Sequence, residues 1–227
     1  MNGQLQKARK KLGLTQVEAA KKLGVSQSYF SLLEEGKRPL TDRLAKKAVR
    51  LFKLSPTVLP VEKQFRHLRP ADNRTLVKDL AALNYPGYAH VTPSHLKHPA
   101  EVLITALSAD NLEGRLVEAL PWLLLEFSDM EWDKLVDAAK LKDLQNRLGF
   151  LTCLARQLAE KSGDSKKAAL FRSREKVLEE SRLVKEDTLC RQNMTGSERQ
   201  WLLRHRSKEA EHWNILSNLT AEHLDYA

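Results

Sequence analysis

The sequence predicts an all-α protein, and three observations predict it. Apolar residues recur at helical spacing from the N-terminus and again from Ala100 onward. No window of about four to eight residues alternates as a half-buried strand would. Hydroxyl residues stand three positions ahead of Glu at several segment starts, the pattern of a helix-opening capping box.

Size and composition bound the possibilities. The 227 residues exceed what one core of roughly 100 to 200 residues usually needs, so two domains are expected. With 42% hydrophobic and 30% charged residues, the chain falls with folded soluble proteins and not with disordered ones. Its most apolar stretch, 116–127, carries Glu118, Pro121 and Glu126 and is shorter than the roughly 20 apolar residues of a bilayer helix. It reads as a buried helix. The N-terminus has no apolar run followed by a small-residue cleavage site, so a cytoplasmic protein without membrane contact is expected.

Charge is divided unevenly. Residues 1–60 hold 13 Lys and Arg against 4 Asp and Glu, whereas residues 61–227 balance 25 of each. All of the net charge of +9 is therefore N-terminal. A module that meets phosphate needs such an excess, because each neutralised phosphate releases condensed counterions. Cys153 and Cys190 are far apart, with no Cys or His at metal-ligand spacing, and read as ordinary thiols.

The elements follow in order. Leu5, Ala8 and Leu12 share one face of a first helix that ends at Gly13. Thr15 and Glu18 form a capping box opening a second helix to about Leu23. Gly24 permits a tight turn, Val25 plugs the core, and Ser26 caps a third helix reaching about Glu35 before Gly36. Thr41 caps a fourth helix to about Phe52, and Ser55-Pro56 opens a fifth turn, where proline is tolerated at the first helical position. Two short helices joined by a Gly-containing turn are the unit that lays its second helix in the major groove.

An ordered set of residues over about 4–60 resembles the Cro/Xre-type, lambda-repressor-like helix-turn-helix family: Arg9, Leu14-Thr15-Gln16, Glu18-Ala19-Ala20, Leu23-Gly24-Val25-Ser26, Phe30, Leu33, and Glu34 through Pro39. The resemblance implies a five-helix DNA-binding domain over residues 1–60 and assigns roles within it. Gln16 and Ser26, at helix starts, are expected at phosphates, where the helix dipole favours anions. Gln27, Ser28 and Ser31 project from the recognition helix towards bases, and Gln27 is the best base reader, since Gln pairs bidentately with adenine. Tyr29 is expected at a thymine methyl or a phosphate, and Lys37 and Arg38 at the backbone. Leu32 stands where the family often carries a polar base reader. Ser26 is needed as a cap with or without DNA, and Lys10, Lys11, Lys21, Lys22, Lys46 and Lys47 read as solvated faces that add field.

Residues 61–99 read as a Pro-rich connector with one short helix at 73–83; six of the eight prolines lie between residues 53 and 99. His90, His95 and His98 fall here without Cys, Asp or Glu beside them, and no metal is expected. Residues 100–227 read as an all-helical domain of five to seven helices for dimerisation or for binding a partner or effector. Ser128 with Glu131 and Thr195 with Glu198 mark capping boxes; Leu135, Leu141, Leu144, Leu148, Leu151, Leu154 and Leu158 with Trp122 and Trp132 supply a core or an interface. Residues 152–180, with a corner at Gly163-Asp164, resemble one tetratricopeptide-like hairpin, short of the three or so units an array needs.

Arg199 with His205 resembles the Arg and His pair of all-helical HEPN ribonucleases, but Arg206 with His212 repeats the spacing within the same basic segment, which removes its specificity. No Gly-rich phosphate loop or nucleophile elbow accompanies it, so no enzyme and no cofactor are expected. Residues 80–158, including Leu83-Asn84-Tyr85-Pro86-Gly87-Tyr88, resemble regulators encoded beside toxin-type nucleotidyltransferases. The expected function is a sequence-specific, homodimeric transcriptional repressor whose partners are an operator duplex, a second copy of the chain and a co-encoded toxin. The alternatives are a peptide- or ligand-sensing regulator and a helical ribonuclease with a DNA-binding module.

Overall fold

The computed structural model describes residues 3–61 and 68–226. Among these, residues 3–61 with 96–98 form one compact unit, and residues 68–95 with 99–226 a second.

The first unit packs α1 (Gln4–Lys11), α2 (Gln16–Leu23), α3 (Gln27–Glu34) and α4 (Asp42–Phe52) around Leu5, Ala19, Ala20, Leu23, Phe30, Leu33, Ala48 and Phe52. The expected fifth helix is one 3-10 turn, Pro56–Val58, whose Val58 is buried. Cap chemistry sets each start. Thr15, Ser26 and Thr41 accept the amides of Glu18, Tyr29 and Leu44, and Glu18 completes its box through Thr15 N at 2.8 Å. Gly13, Gly24 and Gly36 end three helices with φ of 67°, 83° and 71°, a region a Cβ disfavours. After Gly36, Lys37 N reaches Leu32 O at 2.9 Å, closing α3 in a Schellman turn. Leu12, expected on the core face of α1, is 43% exposed, because the helix stops at Lys11 and Leu12 already belongs to its terminal turn. Buried His98 places Nε2 3.2 Å from Thr57 O.

The second unit is built on α9 (Gln145–Lys161), whose first eleven residues are all buried. Around it stand α5 (Asn73–Ala82), α6 (Pro99–Leu107), α7 (Gly114–Glu126), α8 (Trp132–Lys140), α10 (Ser165–Glu179), α11 (Gly196–His205) and α12 (Lys208–His212). A short parallel pair, β1 (Asp187–Thr188) with β2 (Ile215–Leu216), completes the unit. No helix among the described residues is long and apolar enough to cross a membrane. Buried Arg147 on α9 ties the unit together: Nε and Nη2 hold Asp187 at 2.7 and 2.9 Å, and Nη1 donates to Leu107 O at 2.6 Å. Asn146 bonds both the amide and the carbonyl of Leu183 at 2.8 Å. Both thiols are buried, which pushes Cys190 up to about 11 and Cys153 up to about 12.

Three expectations differ here. Residues 68–95, read as connector, group with the second unit, because α5 turns Leu76 and Leu80 inwards, followed by buried Leu83. Ser128 and Glu131 form no capping box: α8 starts only at Trp132 with Glu131 as its uncapped N-cap, and the Ser128 carbonyl instead accepts Arg174 Nη2 at 2.7 Å. Leu141 is 55% exposed at the end of α8, whereas the other six leucines of that series are buried.

Candidate nucleic-acid interface

The turn between α2 and α3 brings two capped helix starts to one face of the first unit. At each start the first amides have no acceptor inside the helix. Thr15 and Ser26 take the third amide, which leaves those of Gln16 and Val17, and of Gln27 and Ser28, to an outside acceptor.

Beneath this face runs a polar chain of four residues. Arg9 Nε donates to Glu34 Oε1 at 2.7 Å, with side chains 11% and 2% exposed. Arg9 also holds Leu14 O at 2.8 Å. Gln16 Nε2 donates to Glu34 Oε2 at 2.8 Å, and Gln27 Nε2 donates to Gln16 Oε1 at 2.8 Å. The direction is forced. A carboxylate only accepts, so Gln16 must offer it N–H, its oxygen must then face Gln27, and Gln27 must donate. Gln27 is left with one N–H and an oxygen facing solvent, the pair that meets N7 and N6 of adenine.

The sequence-predicted residues fall into three groups. Gln16, Ser26, Gln27 and Ser28 gather at the helix starts. Ser26 Oγ accepts Tyr29 N at 3.2 Å and lies 3.5 Å from Ser28 Oγ. The Gln16 side chain, for which a phosphate contact is expected, already bonds Glu34 and Gln27 through its nitrogen and its oxygen and keeps a second N–H for a further acceptor. Ser31 and Lys37 gather on Glu35 at the other end of α3: Ser31 Oγ donates to Oε1 at 2.9 Å and Lys37 Nζ pairs with Oε2 at 2.7 Å. Lys37 and Ser31 hold the Glu35 carboxyl below its usual range, and Glu35 raises the Lys37 ammonium. Tyr29 stands apart, half-buried against the core cluster, and Arg38 is exposed after Gly36.

Sequence reasoning missed the roles of Arg9, Glu34, Glu35 and Lys47. Arg9 and Glu34 had a visible sign, since both are charged residues on core-facing positions of their helices. Lys47, expected as a solvated face, donates to Leu23 O at 2.7 Å and satisfies a carbonyl at the end of α2. Lys46 pairs with Asp42 at 2.8 Å. All four acids of residues 1–60 are thus engaged within the unit, and the surplus of Lys and Arg is left to the surface.

Capped helix, glycine turn, capped second helix and a presented glutamine are the parts of a groove-reading element. Residues 5–59 match the helix-turn-helix family. The helix-turn-helix match covers roughly a quarter of the chain and coincides with the first unit. No curated protein and no solved structure matches the chain. The first unit is a DNA-binding helix-turn-helix module of the kind transcription regulators carry.

Proposed function

We propose that this chain is a homodimeric transcriptional repressor that reads a twofold operator, and that it acts without enzymatic activity as the autorepressor of an operon encoding its own protein partner, in the manner of an antitoxin or a phage-defence regulator. The observation that carries the reading is the Gln27 amide, fixed through Gln16 and Glu34 with one donor and one acceptor facing outwards. A lone module of this type reads few base pairs, and a twofold protein matches a twofold site. Arg38, and on the operator Lys37 as well, contact the backbone flanking the bases that Gln27, Ser28 and Ser31 read, and the amides at Gln16 and Ser26 hold phosphates.

The residues that suggested a ribonuclease are engaged elsewhere. Arg199 pairs with Glu186 at 2.6 Å, His205 stacks on Trp201 with centroids 4.5 Å apart, and His212 contacts Glu179 at 2.7 Å. This favours a regulator over a nuclease. One observation favours a sensing regulator as second reading: a cavity of about 380 Å³ in the second unit is lined by Lys142, Asn146, Arg147, Lys185, Asp187 and Gln192. A small molecule released on denaturing the purified chain, identified by mass spectrometry, would support it.

Sequencing the genomic fragments retained by the purified full chain, with light scattering of the free and bound protein, tests the main reading. It expects a palindromic site with half-sites about one helical turn apart and a dimer on DNA. A chain monomeric both free and bound, or fragments with no common sequence, would sink it.

A further inference from the structure

We propose that Glu35 is a specificity-determining residue that withholds Lys37 and the Ser31 hydroxyl proton from the phosphate backbone, so that the C-terminal end of the recognition helix gains little from DNA lacking the right base there. This rests on the reading of the first unit as a duplex-binding module.

Helix physics does not account for Glu35. The helix C-terminus carries the negative end of the dipole, where a cation is favoured, and α3 ends instead with Glu34 and Glu35 and no basic residue in its last turn. Glu34 is answered by Arg9. Among the described residues Glu35 is answered only by two that the proposed interface places at DNA: Ser31 four residues earlier, on the same helix face, and Lys37 in the Schellman turn.

Two consequences follow from the chemistry. Lys37 beside a carboxylate is half of a neutral pair, so bringing it to a phosphate either breaks the pair or carries a negative charge towards a polyanion. Non-specific binding, which depends on the number of phosphates neutralised, loses this contact first. Ser31, with its proton given to Glu35, presents only lone pairs, and the Glu35 oxygens are acceptors as well. This end of the helix therefore suits a base edge that donates, the exocyclic amine of cytosine or adenine, and it repels the acceptor-only edge of guanine.

Glu35→Gln in the full-length chain tests the idea with a random-sequence duplex of fixed length as probe, titrated at several salt concentrations. The amide keeps the shape and removes the charge. The variant is expected to bind random duplex more tightly than wild type, with a slope of log K against log salt steeper by about 0.9 for the phosphate that Lys37 now neutralises. Between 50 and 200 mM salt it should therefore lose about 3-fold more affinity than wild type loses. Glu35→Gln combined with Lys37→Ala should return the slope to the wild-type value. A Glu35→Gln slope and affinity equal to wild type would overturn the proposal, as would a steeper slope that persists in the double variant, since the charge would then act through the general field and not through Lys37. Thermal melting of each variant excludes a folding defect. If wild-type protein binds no duplex at all, it is the reading of the module that fails, a different result from wild type and variant binding alike.

Discussion

Replacing Arg9 by Met removes the cation from a carboxylate that is almost wholly buried. Glu34 is 2% exposed along its side chain, and without Arg9 its remaining partner among the described residues is the Gln16 amide, at 2.8 Å. Removing one partner of a buried pair costs about 3 to 5 kcal/mol. The Gln16 bond and the 11% exposure of Arg9 favour the lower end. A module of about 60 residues has a total stability of roughly 3 to 9 kcal/mol at 0.05 to 0.15 kcal/mol per residue, so the loss is a third of it or more. At about 4 to 8 °C per kcal/mol for a domain of this size, Arg9→Met should lower the module's melting transition by about 12 °C or more, read by calorimetry of the full chain. Arg9→Met with Glu34→Met, two flexible apolar side chains of similar volume, should recover most of that loss, because the unpaired charge is gone. If the single variant melts within about 2 °C of wild type, or the double is no more stable than the single, then the pair does not hold the module as argued.

Gln27→Ala should weaken operator binding by about 1 to 3 kcal/mol and leave random-duplex affinity and the salt slope unchanged, because the lost contact is to base edges; salt-dependent isotherms on both DNAs check it, and an unchanged affinity ratio would mean α3 does not present Gln27 to the groove. Gly149→Ala in α9 should destabilise the second unit in denaturant titration by about 1 to 3 kcal/mol, since an added Cβ overlaps the buried Trp213 ring and overpacking outweighs the ~1 kcal/mol helix gain. Burial raises the Asp187 carboxyl, but Arg147, the Thr188 amide and Gln192 together outweigh it and hold it below the usual value, so its contribution is present above the unfolded value of about 3.9 and lost as pH falls through the depressed folded value. Asp187→Asn should abolish that acid-limb loss and weaken the second unit at neutral pH; an acid melting profile identical to wild type would contradict it.

What the sequence made legible was local. A cap needs a hydroxyl and an amide three residues on, and a Schellman turn needs one glycine, so Thr15, Ser26, Thr41, Gly24 and Gly36 announce the helix limits without knowledge of the rest of the chain. The same locality misled at Ser128 and Glu131, where the right spacing occurs inside the turn that closes α7, and tertiary packing gave the Ser128 carbonyl to Arg174. Prolines at 70, 86 and 93 suggested a connector because they punctuate short turns, yet Leu76, Leu80 and Leu83 between them demand cover, which a reading of the turns alone overlooks. Arg147 gave no sign: its partners are the carbonyls of Leu107 and Ala109 and the carboxylate of Asp187, and only the fold assembles them.

The interface divides along the same line. Affinity for any duplex follows from a surplus of Lys and Arg, a property of composition that survives small shifts in geometry. In the proposed interface discrimination depends on which way one amide faces, and that amide is oriented through Gln16 and Glu34 by Arg9, in pairs 18, 25 and 11 positions apart along the chain. The two properties are therefore expected to fail separately. The Arg9→Met, Glu34→Met double variant keeps a filled core and almost the same surface charge, so it should still hold random duplex. Gln16, freed from the carboxylate, then no longer fixes the direction of the Gln27 amide, which can present its donor and acceptor to a base pair in either order. Tight binding with the operator-to-random ratio reduced would identify the buried pair as a determinant of specificity; a wild-type ratio in the folded double variant would show that Gln27 finds its orientation from the DNA itself.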